Sequence, residues 1–113
     1  MNNIISLQKE ILSLTKKYNL QISYIDITDN TLITRLTMTS DIFIQIYVNS
    51  KKKKINLALI ASEVRIYGVD KEGGSYHKHP FECPENHLDC NPVGIEEFIV
   101  ESIEILNKKL TLL

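Results

Sequence analysis

From Ile25 to Ile66 apolar residues return at every second position, and none of the links between the runs is long enough to hold a helix. Ile25 and Ile27 share one face of a short segment that Asp29 and Asn30 turn. Leu32, Thr34, Leu36 and Met38 then alternate with Ile33, Arg35 and Thr37. Ser40 and Asp41 interrupt the run before Ile42, Ile44, Ile46 and Val48 resume it. Ile55, Leu57 and Leu59 form a fourth segment and Val64 and Ile66 a fifth, joined through the tight Ala61-Ser62-Glu63 connection. Parallel neighbours need a crossover of a dozen or more residues, so these short links restrict the chain to an antiparallel meander of about five strands.

A different period brackets that sheet. Ile4, Leu7, Ile11, Leu14 and Tyr18 recur at steps of three or four, which predicts an amphipathic helix over residues 3–18. At the other end, Ile95, Phe98, Ile99, Ser102, Ile103, Leu106 and Leu110 mark a closing helix, with Asn91-Pro92 expected as its cap and first residue. Glu96, Glu97 and Glu101 come early in it and Lys108 and Lys109 late, the order that the helix dipole favours. The expectation is an α+β fold in which the N-terminal and C-terminal helices pack on one face of the sheet. A chain of 113 residues, 43% hydrophobic and 24% charged, suits one domain over residues 1–113.

Charge and targeting narrow the function classes. Thirteen Lys and Arg against fourteen Asp and Glu give a net charge of -1, so no global field draws in nucleic acid or an anionic membrane. No run approaches the roughly eighteen apolar residues of a membrane span. The start Met1-Asn2-Asn3-Ile4 lacks the features of a signal peptide, so a cytoplasmic location is expected. Lys51 to Lys54 fall at a turn, where they read as a solvated hairpin tip or as a contact for RNA phosphates that carries no sequence readout.

Chemistry-bearing residues concentrate after the glycine-containing turn at residues 70–75. The stretch from Tyr76 to Cys90 holds all three histidines and both cysteines. His77, His79, Cys83, His87 and Cys90 offer enough ligands for a tetrahedral zinc, although the spacing H-x-H-x3-C-x3-H-x2-C is unlike the paired C-x2-C knuckles of a strong zinc motif. Without metal, His77 and His79 point the same way in strand geometry and can act as base and acid, with Asp70 orienting one ring. Such a trio suits RNA cleavage by attack of the substrate's own 2′-hydroxyl. Surface histidines with no chemistry are the bland alternative. Phe81 and Leu88 are expected to anchor the stretch by packing beneath it.

Arg65-Ile66-Tyr67-Gly68-Val69-Asp70, followed by Tyr76-His77-Lys78-His79-Pro80, resembles the signature of the TumE-like family of small bacterial and archaeal proteins, often described as toxins of toxin-antitoxin pairs. Asp70, His77 and His79 match motif positions, Lys71 stands where the family has asparagine, and Tyr76 where a further histidine often sits. The resemblance covers roughly residues 30–105. It implies a ribonuclease-type activity with His77, His79 and Asp70 catalytic, Lys78, Arg65 and Tyr67 binding substrate, and no cofactor. The partners it implies are a helix-turn-helix antitoxin and RNA, with a homo-oligomer as a further expectation. A small zinc-binding module and a non-catalytic interaction domain stand as alternatives.

Overall fold

The computed structural model describes residues 3–81 and 85–112, the last four by backbone alone. Helix α1 (Ile4–Lys17) leads into strands β1 (Gln21–Ile27), β2 (Thr31–Thr39), β3 (Ile42–Asn49), β4 (Lys54–Ala61), β5 (Val64–Glu72), β6 (Ser75–His79) and β7 (Leu88–Cys90), and α2 (Ile95–Leu112) follows. All seven strands pair antiparallel with their neighbours in sequence, one continuous meander.

The expected five strands are therefore seven. Tyr76-His77-Lys78-His79 and Leu88-Asp89-Cys90 pair as β6 and β7 where an irregular loop was expected. Neither segment carries alternating aliphatic residues, the signal that marks a half-buried strand. A strand near the sheet edge buries little, so β6 presents Tyr76 and the Lys78 stem where interior strands present Leu or Ile.

Local chemistry sets the helix ends. The Asn3 side chain accepts a hydrogen bond from the Ser6 amide at 2.7 Å and caps α1. Asn19 takes a left-handed φ of 55°, and the Leu20 amide returns to the Thr15 carbonyl at 2.9 Å, closing the helix in a Schellman-type turn. The second helix starts at Ile95, three residues after the expected Pro92. The Gly94 carbonyl accepts its first bond, from Phe98, and residues 91–94 carry the chain from the edge strand onto the sheet.

Paired residues in an antiparallel sheet share a face. Leu32 and Leu36, Ile44, Ile46 and Val48, Leu57 and Leu59, and Tyr67 and Val69 lie on one face. They are buried in a single apolar cluster with Ile4, Leu7, Ile11 and Leu14 of α1 and Phe98 and Ile99 of α2. The helices are also tied to each other: Glu96 accepts from Lys17 Nζ and from the Tyr18 hydroxyl, each at 2.6 Å. Arg35, Phe43, Gln45, Tyr47 and Asn56 lie on the opposite face and stay outside that cluster. No helix among the described residues is long and apolar enough to cross a membrane.

Candidate functional site

Sidedness along β5 is broken once, and that break builds the site. Leu59 pairs with Tyr67, but the next pair is Ile60 with Arg65, so Ile66 is an extra residue. Such a bulge shifts the alternation by one. Ile66 and Tyr67 both pack toward the core, and Arg65 moves to the face that carries Gly68 and Asp70.

From there the Arg65 side chain runs along the sheet over Gly68. A Cβ at position 68 would collide with the guanidinium, so glycine is needed here for space and not for an unusual φ. Arg65 Nη2 donates to Asp70 Oδ1 at 3.0 Å. Across the β5–β6 hairpin, whose turn Gly73 supports with a φ of 63°, Gly68 pairs with His79 and Asp70 with His77. His79 Nε2 lies 3.1 Å from Asp70 Oδ2. The Asp70 side chain, only 17% exposed, is thus held between a guanidinium and an imidazole.

A third imidazole joins the pair. His87, in the segment before β7, stacks on His77 with centroids 4.4 Å apart and planes 17° apart, and leans on His79 at 4.8 Å and 41°. The exposed Asp89 carboxylate lies 3.1 Å from His77 Nδ1. Their alignment is not that of a hydrogen bond, and this buried nitrogen lacks one. Among the described residues, four buried side-chain polar atoms lack hydrogen-bond partners, and three of them surround Asp70: Arg65 Nε, His77 Nδ1 and Oδ1 of Asn56, the β4 residue opposite Asp70. Buried orphans of this kind are rare in native proteins, and three of the four gather in this patch. Asn56 did not stand out in sequence, because an asparagine within an alternating strand carries no motif.

The strand period separates other expected site residues from the histidines. Lys78 lies between His77 and His79, so its side chain leaves by the opposite face. There its Nζ is 3.9 Å from Glu101 and 5.9 Å above the Tyr67 ring. Tyr67, also expected to bind substrate, is buried in the core, stacked on Phe98 at 5.2 Å, and donates to Glu101 at 2.8 Å. Burial, and then the Glu101 carboxylate, push its phenol above the ordinary range. Of the three residues expected to hold substrate, Arg65 alone shares a face with the histidines.

The same parity divides the expected zinc ligands. Cys90 pairs with Tyr76 and packs against the core, across the sheet from His77 and His79. Its thiol is pushed up in pKa, first by burial. Cys83 lies outside the described residues. Among the described residues no three His, Cys, Asp or Glu side chains are arranged to hold a metal ion, and the stacked imidazoles meet through their faces. Of the two expected anchors, Phe81 is half-buried, whereas Leu88 is 51% exposed and does not pack beneath the stretch.

The arrangement offers a carboxylate-oriented imidazole, two further imidazoles and a guanidinium on the sheet face away from the core. That set can accept a proton, return one and stabilise negative charge between them. No family model, curated protein or solved structure matches the chain.

Proposed function

We propose that the protein is a TumE-like toxin of a toxin-antitoxin pair, acting in the cytoplasm, and that it cuts RNA with its own side chains and no bound cofactor. The observation that carries this reading is the 3.1 Å contact between Asp70 and His79 on a face that also presents His77 and Arg65. The resemblance of residues 65–80 to the TumE-like signature supports it from the sequence.

Asp70 holds the His79 ring in place, and His79 is the base. It takes the proton from a ribose 2′-hydroxyl as O2′ bonds to the adjacent phosphorus. The P–O5′ bond breaks, and the His77 imidazolium gives its proton to the departing O5′. The products are a 2′,3′-cyclic phosphate and a 5′-hydroxyl end. Arg65 lends positive charge to the phosphorane oxygens, and His87, stacked on both rings, keeps them spaced. An antitoxin of the helix-turn-helix kind silences the toxin by covering this face.

The test is incubation of the purified chain with a single-stranded RNA and with the same strand 2′-deoxy at every position. Cleavage of the ribose strand alone, ending in cyclic phosphate, is expected. His79→Ala is expected to lower it by about 10²-fold or more, the usual contribution of a general base, while leaving the chain folded. Cleavage of the deoxy strand, or full activity in a folded His79→Ala variant, refutes the mechanism.

A further inference from the structure

We infer that the sheet face carrying His79 is a binding track for single-stranded RNA, and that Arg35, Phe43 and Tyr24 form a base-stacking subsite at its far end. The role of the track in catalysis rests on the ribonuclease reading above; its binding of RNA does not.

Strand register draws the track. His79 pairs with Gly68, Gly68 with Ala58, Ala58 with Gln45, Gln45 with Arg35 and Arg35 with Tyr24, so these six residues form one row across six strands of a single face. From His79 to Arg35 the row crosses four strand spacings, about 19 Å at 4.7–4.9 Å each. Gly68 and Ala58 in its middle are small and buried, with the Arg65 guanidinium lying over Gly68. Four-stranded sheets that bind RNA stack about two or three bases on their aromatic residues.

At the far end, the Arg35 guanidinium lies 5.1 Å from the Phe43 ring centroid and 5.7 Å from that of Tyr24. Its Nε donates to Gln45 Oε1 at 3.1 Å, which holds the planar group in place. Arg65 is paired with Asp70 and Lys54 with Glu72, but Arg35 has no carboxylate partner among the described residues. An exposed, unneutralised guanidinium between two rings suits a ligand that brings both a π-face and an anion at short spacing. A nucleotide does so, through its base and its phosphate. An unpaired strand is required because the bases of a duplex are stacked on one another.

The experiment measures binding of an eight-nucleotide 2′-O-methyl RNA, which cannot be cut through its 2′-oxygen, to the full chain by fluorescence anisotropy. Cleavage of a dinucleotide, too short to reach the far end, is followed in parallel. Arg35→Ala and Phe43→Ala are each expected to weaken octamer binding by about tenfold or more, within the range for loss of one stacked base, and to leave dinucleotide cleavage unchanged. Arg35→Lys keeps the charge but loses the planar group, and is expected to fall between. If Arg35 merely shields the two rings from water, its removal changes melting temperature and leaves octamer affinity alone, which overturns the inference. Octamer binding unaffected in both folded variants, absent in the wild type, or equalled by duplex RNA also overturns it. Octamer binding that depends on Arg35 in a chain that cuts nothing sustains the track and refutes the catalytic reading alone.

Discussion

Replacing Gly68 with alanine separates the site from the fold. The new Cβ would sit well inside the 3.0 Å that Cβ atoms keep from other heavy atoms, and the three atoms nearest to it all belong to the Arg65 guanidinium. The end of a long side chain yields more readily than backbone, so Arg65 swings away and the contact with Asp70 is lost. A charge-assisted hydrogen bond is worth about 1.5–3 kcal/mol. With Arg65 35% exposed, solvent screening lowers this to about 1 kcal/mol. Alanine in place of a strand glycine returns about 0.5–1 kcal/mol. The net change in stability is then about 0–0.5 kcal/mol, a melting shift within about 4 °C for a domain of this size. RNA cleavage should fall about a hundredfold, the scale that a displacement of 1 Å in a catalytic group produces. The sign inverts in an Arg65→Ala background: with no guanidinium to displace, Gly68→Ala should stabilise by about 0.5–1 kcal/mol. Thermal melts of the four proteins, with cleavage rates for each, test this. A loss above about 3 kcal/mol in the single variant, or the same sign in both backgrounds, refutes the assignment of Gly68 as clearance for Arg65.

Two further changes probe the core and the turn beside the site. The Tyr67 phenol has a raised pKa in the fold, so it contributes stability that is complete below its unfolded value near 10 and is lost as pH rises above that value. Wild-type stability should decline more steeply between pH 10 and 11 than that of Tyr67→Phe; parallel slopes in urea titrations of the two contradict the buried, Glu101-bonded phenol. Ser62 and Glu63 both take positive φ, 50° and 68°, in the two-residue β4–β5 turn, a conformation that favours glycine. Glu63→Gly should raise stability by about 0.5–1 kcal/mol, and a lowered melting temperature argues against strain in this turn.

The fold class was legible because it follows from local periods. Alternation through Leu32, Ile44 and Leu57 and three-to-four spacing through Leu7, Ile11 and Phe98 each reflect one face meeting the core, and both patterns are complete within a single segment. The hairpin links are equally local, and their shortness alone excludes parallel pairing. The sequence also brought His77 and His79 forward as a pair, since residues two apart on a strand share a face, and Asp70 with them as the carboxylate of the motif they resemble.

Strands β6 and β7 were hidden because strands at or beside a sheet edge bury little and need no aliphatic alternation. The bulge at Ile66 was hidden as well: an extra residue shows only when β5 is laid against β4, and it alone turns Arg65 toward Asp70. Motif reading gathered Tyr67, Lys78 and Cys90 with the histidines because they are neighbours in the chain, whereas the pleat sends them to the face that the helices bury. Asn56, Arg35 and Phe43 entered only through register, since each is remote from His79 in sequence and shares its face through pairings made one strand at a time. A chain encodes the sidedness of each strand locally. Which sides are brought together depends on pairing between distant segments, and only the assembled sheet supplies it.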